Sequence, residues 1–192
     1  MIPAGPSGFA YSTIGDNPVT PAEITAELEA RFGSTVVGHP GAPDPFVVVE
    51  AARLPEVGRY LRDVLRFDIL NNLGGVDYLE TDPKKVAKAG FEPHLEVVYH
   101  LSSFAAPGRR FTMKIFLPRW KGGVVGELPE VPTVSDIWRT ADWHEREAYD
   151  LFGIRFLGHP DPRRILLSDD WVGYPLRKDY EFPLEYHDIR CR

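Results

Sequence analysis

The residues best able to do chemistry crowd into one stretch, Trp138 to Leu167, where tryptophan, paired charges, glycine and proline are densest. His144-Glu145 opens the H-E-x-x-H pattern, in which two histidines one helical turn apart hold zinc and the glutamate serves as base. Ala148 stands where the second histidine is needed, so a metal-dependent hydrolase built here lacks a ligand. Further on, Gly158-His159-Pro160-Asp161-Pro162 is a turn stiffened by two prolines that lack amide donors. It presents Arg163 and Arg164, and adjacent guanidinium groups on a rigid turn suit bidentate capture of carboxylates or phosphates. No glycine-rich cradle accompanies them, which favours carboxylates. His159, beside a proline, reads as a structural hydrogen-bonding group rather than a base. His94 and His100 share a strand face but have no third ligand. Cys191 is the only cysteine, too few for an iron–sulfur cluster or an internal disulfide, and it suits a reducing compartment. Neither Gly74-Gly75 nor Gly122-Gly123 belongs to a strand, G-x-G-x-x-G, helix unit, so no nucleotide loop is expected.

A helix must position these groups. Thr133 with Asp136 suits a capping box, Ser135 is a competing N-cap, and Gly153 stands where a left-handed C-cap is expected. At about 100° per residue, Ile137, Ala141, His144, Ala148, Leu151 and Phe152 share the core-facing arc. Trp138 and Glu145 lie on its edge. Trp143, Arg146, Glu147 and Asp150 lie on the other side, with Asp142–Arg146 and Arg146–Asp150 as i,i+4 pairs. That face is solvated, or part of a metal site, or a docking element against another protein. The short strand Ile154–Leu157, the proline turn and the paired arginines that follow favour docking.

The run Ala141-Asp142-Trp143-His144-Glu145-Arg146-Glu147-Ala148-Tyr149-Asp150-Leu151-Phe152-Gly153-Ile154-Arg155-Phe156-Leu157-Gly158-His159-Pro160-Asp161 resembles the hallmark of one family. That family is the 30-kilodalton (C) subunit of respiratory complex I, the proton-pumping NADH:quinone oxidoreductase. The likeness continues through Arg163-Arg164-Ile165-Leu166 and Tyr174-Pro175-Leu176-Arg177-Lys178-Asp179; Pro162 departs from the family's leucine. The resemblance implies a non-catalytic structural and assembly subunit of the hydrophilic arm. There it supports electron transfer from NADH through flavin and iron–sulfur clusters to quinone, coupled to proton translocation. It implies no cofactor in this chain, the flavin and clusters lying in partner subunits. The partners would be the large hydrogenase-like (D) subunit and the adjacent cluster-bearing subunit of the quinone module. The place implied is peripheral, on the cytoplasmic side of the bacterial inner membrane, which is met only through the complex. Interface and hallmark positions are Trp143, Glu145, Arg146, Glu147, Asp150, Gly153, His159, Pro160, Asp161, Arg163, Arg164, Trp171, Tyr174, Arg177, Lys178, Asp179 and Tyr180. Two alternatives stand beside this reading. One is the equivalent subunit of a related membrane-bound hydrogenase or ferredoxin-dependent complex. The other is a stand-alone metal-dependent hydrolase using Glu145, Glu147 or His159.

The rest of the 192 residues form the frame. At 43% apolar the chain can bury a core, and a net charge of −6 argues against a nucleic-acid surface. Residues 1–20, rich in Pro, Gly, Ser and Thr, read as a flexible lead-in without signal or transit pattern, and no apolar run approaches a bilayer span. Residues 21–118 read as an α+β domain. Helices begin at Pro21 and at Leu54, the second running to Phe67 with Val57, Leu61, Val64 and Leu65 inward. Strands are expected at Ser34–Gly38, at Phe46–Val49, at Ile69–Thr81 with a bulge or close approach at Gly74-Gly75, at His94–Leu101 and at Phe111–Leu117. Residues 82–93 read as a charged loop. This pattern predicts a two-layer domain with two helices on one face of a mostly antiparallel mixed sheet. Then come a linker over 119–134, the hallmark helix, strand and turn over 135–167, and an extended docking arm over 168–192. In that arm Trp171, Tyr174, Tyr180, Phe182 and Tyr186 are expected as anchors without regular structure, with Arg177 and Lys178 pairing to a partner's acids.

Overall fold

The computed structural model describes residues 20–191, so the lead-in expected over 1–20 lies outside it apart from Thr20. Thr20 closes a capping box: its Oγ1 accepts the Glu23 amide at 3.3 Å while the Glu23 carboxylate accepts the Thr20 amide at 2.7 Å. With proline at the first turn, this starts α1 (Pro21–Phe32). There follow β1 (Val36–His39), β2 (Phe46–Val49), α2 (Leu54–Asp63), β3 (Ile69–Tyr78) and the single turn α3 (Pro83–Val86), which falls inside the stretch expected as loop. Then come β4 (His94–Ser102), β5 (Arg110–Pro118), β6 (Glu130–Pro132), α4 (Ala141–Phe152), β7 (Arg155–Leu157), β8 (Glu185–Tyr186) and β9 (Ile189–Arg190).

The five-stranded sheet runs β1-β2-β5-β4-β3, antiparallel except for the β2–β5 pair. The expected mostly antiparallel mixed sheet is therefore present. Leu95, Val97, Tyr99 and Leu101 of β4 pair in register with Leu117, Ile115, Met113 and Phe111 of β5, and all eight are buried. Strand alternation puts these residues on one face, where Ile24 and Leu28 of α1 and Val57 and Leu61 of α2 complete the core. The helix α2 stops four residues short of the expected end. Arg66 takes a left-handed φ of 63°, which turns the chain, leaving Val64 exposed while Leu65 and Phe67 drop into the core.

The bulge in β3 falls between Leu70 and Asn72, not at the glycines. Gly75 instead permits a close approach, since a Cβ there would sit 2.6 Å from Cδ2 of Phe152 on α4. This contact and the bond from the Leu73 amide to His144 Nδ1, 3.3 Å, dock α4 against the outer edge of β3. His144, read from sequence as core-facing, thus serves as acceptor for an edge-strand amide. Within the stretch expected as linker, β6 pairs in parallel with β7, tying the chain before α4 to the chain after it.

The clearest departure is the start of the hallmark helix. It begins at Ala141, and its N-cap Thr140 makes no side-chain cap bond. Thr133, Ser135 and Asp136 are used elsewhere: Thr133 bonds Ser135 and Glu145, and Asp136 pairs with Arg59 at 2.5 Å. The turn between them folds Ile137 and Trp138 onto Gly58 of α2, with the Trp138 indole N–H donating to Phe67 O at 2.9 Å. Gly153 does end the helix in the left-handed region, at φ 67°.

Gly75→Ala forces the Phe152 ring off β3 without altering any charge. It should lower stability by about 1–3 kcal/mol, as overpacking does, measured by urea denaturation of the full chain.

Candidate functional site

Two carboxylates that helical periodicity puts on the edge or outer side of α4 are fully buried. Asp150 has 0% exposure, yet it does not pair with Arg146. Its Oδ2 accepts the amides of Ile165, Leu166 and Leu167 at 3.1, 2.8 and 2.9 Å, and its Oδ1 accepts Arg164 Nη1 at 2.7 Å. Burial alone would raise this carboxyl. The amides of Leu167, Leu166 and Ile165 and the Arg164 guanidinium outweigh burial and hold it below its usual value. The paired arginines therefore divide. Arg164 captures a carboxylate of its own chain and reaches on to Gly173 O at 3.1 Å, whereas Arg163 projects outward against Asp161.

Glu145, also at 0% exposure, binds the turn before α4. Its Oε1 accepts the Val134 amide at 2.8 Å, and its Oε2 lies 2.5 Å from Thr133 Oγ1. Arg146 turns away from both expected i,i+4 partners. It donates to the carbonyls of Arg163 and Arg164 at 3.1 and 3.0 Å and approaches Asp161 at 3.4 Å. In the turn, His159 Nδ1 accepts the Asp161 amide at 3.0 Å and Nε2 donates to Asp142 O at 3.0 Å, which fixes a neutral ring as the Nε2–H tautomer. Glu145, Arg146, Tyr149, Arg155, His159 and Pro162 surround a cleft of about 360 Å³. Pro160 is exposed at the turn's outer corner. On the outer side of α4, Trp143 is 64% exposed, and Glu147 is exposed beside it.

The C-terminal segment is bound to the body further than the docking-arm expectation allows. Arg177, expected to face a partner's acid, is buried. Its Nε donates to Phe152 O at 2.7 Å, at the carbonyl end of α4, and its guanidinium lies 3.9 Å from the Trp120 ring centroid. A cation suits that helix end. Tyr174 lies over Gly153, where an added Cβ would meet its ring at 2.6 Å. The Lys178 amide donates to the buried Asp77 at 2.9 Å, and Asp179 pairs with Arg119 at 2.7 Å, while Arg119 also holds Asp77 at 2.8 Å. Tyr180 donates to Val172 O at 3.1 Å, and Trp171 packs 4.9 Å from Tyr186. The region expected to lack regular structure also contains the hairpin β8–β9, with His187 and Asp188 both at positive φ in its two-residue turn.

Sequence reasoning missed Asp77 and Arg119, and it assigned Thr133 to a helix cap rather than to Glu145. Asp77 did carry a signal, being a charge on the inward parity of β3 with Leu73 and Gly75. Among the described residues no three His, Cys, Asp or Glu side chains are grouped so as to hold a metal ion.

An antiparallel-rich sheet backed by helices, followed by a helix whose buried carboxylates organise a long coil, defines an α+β protein that fits a complex-forming subunit. The profile described as respiratory-chain NADH dehydrogenase, 30 Kd subunit, matches residues 47–186, and the chain belongs to that family. The C subunit of the NADH-quinone oxidoreductase of Roseiflexus castenholzii is 43% identical over 167 residues, covering 85% of this chain and 83% of that one. The C subunit of the Chloroherpeton thalassium enzyme is 41% identical over 167 residues, and the match spans 85% of this chain and 62% of that longer protein. Among solved structures, the trypsin-resistant fragment (1-134) of Nqo5 superposes with a TM-score of 0.56 at 31% identity, over 72% of this chain and 98% of the fragment. A chain of an archaeal membrane-bound sulfane sulfur reductase shares the fold, with a TM-score of 0.57 at 24% identity.

Replacing Asp150 with Ala removes the acceptor shared by three amides and a guanidinium. Breaking a buried pair of this kind is expected to cost about 3–5 kcal/mol. Arg164→Ala should cost less, because the three amides keep their acceptor; thermal melts of the two variants check the ranking.

Proposed function

We propose that this chain is a non-catalytic structural and assembly subunit in the hydrophilic arm of an NADH:quinone oxidoreductase. In this reading the flavin and iron–sulfur clusters reside in partner subunits, and the chain contributes no reacting group. The observation that carries the reading is the family match across the hallmark helix and its coil, together with what those residues do here. Glu145, Arg146, Asp150, His159, Arg164 and Arg177 bond mainly to backbone groups of their own chain. Residues so engaged shape a surface rather than attack a substrate or carry electrons. The outer side of that surface exposes Trp143, Leu166, Val172, Leu176, Phe182 and Leu184, large apolar groups of the kind that serve as interface anchors. The partners proposed are the large hydrogenase-like subunit and the adjacent cluster-bearing subunit. No helix among the described residues is long and apolar enough to cross a membrane. The proposed location, attached through partners on the cytoplasmic side, rests on the family match.

The bonds of Arg177, Lys178 and Asp179 set where the arm can be cut without loosening the body. A tagged chain ending at Tyr180 keeps them, and it should melt within a few degrees of the full chain while losing most of the large subunit in a pull-down from the native membrane fraction. A chain ending at Asp170 should melt markedly lower, because it loses the cation at the end of α4. Full partner capture by the chain ending at Tyr180 would refute the docking role of the last residues.

A further inference from the structure

Glu145 is a buried carboxylate without a lysine or arginine partner among the described residues. Among the basic side chains of the described residues only His159 approaches it, with Nε2 3.9 Å from Oε2 and already donating to Asp142 O. The charge nearby is of the wrong sign to stabilise an anion: Asp142 on α4 and Asp136 in the preceding turn both disfavour ionisation. Tyr99 on β4 lies within electrostatic reach, fully buried, with a hydroxyl that has no hydrogen-bond partner among the described residues. Arg146 and Arg155 line the adjacent cleft, but Arg146 approaches Asp161 and Arg155 approaches Glu130.

The hydroxyls on the other side of Glu145 supply what is needed to change its charge. Thr133 Oγ1 lies 2.5 Å from Glu145 Oε2 and 2.9 Å from Ser135 Oγ, and it accepts the Ser135 amide at 3.1 Å. Thr133 has one proton for two oxygen neighbours. When Glu145 is ionised, Thr133 donates to it and Ser135 donates to Thr133. When Glu145 is protonated, its O–H donates to Thr133 and Thr133 donates to Ser135. Every group is satisfied in both states, and they differ by one proton and the reversal of two hydroxyl rotors. Ser135 is half-buried, so the chain of hydroxyls runs from solvent to a carboxylate with no exposure of its own.

We propose that Glu145 is a proton-binding site, loaded from solvent through Ser135 and Thr133, whose occupancy sets the charge at the floor of the cleft beside His159. Loading moves protons only. A solvent hydronium ion gives one to Ser135 Oγ and leaves as water, Ser135 passes its own to Thr133, and Thr133 passes its own to Glu145 Oε2, whose negative charge is thereby neutralised. The property belongs to the chain itself and does not depend on what the chain docks to. Burial pushes the Glu145 carboxyl up to about 7; the Thr133 and Val134 bonds pull it down, and Asp142 and Asp136 add to the rise. A carboxyl raised on folding stabilises the fold most when protonated. Its contribution is full below the ordinary glutamate value of 4.5 and is lost as pH rises through about 7.

The test is a pH titration of the full chain carrying glutamate ¹³C-labelled at the side-chain carboxyl, followed by NMR. One resonance should titrate with a midpoint near 7, and it should vanish in Glu145→Gln. Thr133→Val, lacking the donor to the ionised form, should shift that midpoint upward. Ser135→Ala should leave the midpoint in place but split the averaged signal into slowly exchanging protonated and ionised forms. The melting temperature of the wild type should fall relative to Glu145→Gln as pH rises toward neutrality. The proton site is overturned if every wild-type glutamate titrates in the ordinary carboxylate range, a result that does not depend on any variant folding. The relay is overturned if Thr133→Val and Ser135→Ala titrate as the wild type does.

Discussion

One carboxylate organises the C-terminal third of this protein. A buried anion is costly unless its lone pairs are filled and a cation is near. Asp150 meets both conditions with three consecutive amides and Arg164, all from a segment with no helix or strand of its own. The bonding is reciprocal. The carboxylate needs the coil to be tolerated inside the fold, and the coil needs the carboxylate to hold residues 163–167 in one shape. From that point the backbone is pinned in sequence, by Arg146 on the Arg163 and Arg164 carbonyls and by Arg164 on Gly173 O.

A second anchor lies at the end of β3. Asp77 takes both Arg119, at the exit of β5, and the Lys178 amide, so the sheet, the start of the connecting segment and the C-terminal coil meet on one buried acid. Arg177 then closes the carbonyl end of α4 against Trp120. The result is a coil whose inner side is tied to the body by hydrogen bonds at several points while its outer side carries exposed apolar groups. Such a surface is largely formed before a partner arrives, which reduces the ordering entropy that an extended arm would lose on binding.

Much of the frame was legible in the sequence because it follows local rules. The alternation in His94–Leu101 and Phe111–Leu117 fixed the buried face of the central hairpin, and Gly153 marked the end of α4. What failed depended on partners distant along the chain. A helical wheel assigns Asp150 and Arg146 to the outer side, and it cannot register that a coil 15 residues on will cover them. Thr133 and Asp136 have cap spacing, but a carboxylate on α4 and Arg59 on α2 compete for them and win, so the helix starts later. The close approach at Gly75 was anticipated as one of two possibilities; that its neighbour is Phe152 required the tertiary fold. Arg177 misled for a physical reason, since an arginine among aromatics suits an interface and a buried helix end equally well.

The central claim is that the coil following the hallmark helix is held by the body of the chain rather than ordered by a partner. Hydrogen exchange of the Ile165, Leu166 and Leu167 amides in the isolated full chain tests it most directly. Exchange far slower than for an unstructured peptide, approaching that of the β4 amides, is the result expected of three amides bound to a buried carboxylate. Exchange at the rate of an unfolded chain, with β4 still protected, would contradict it.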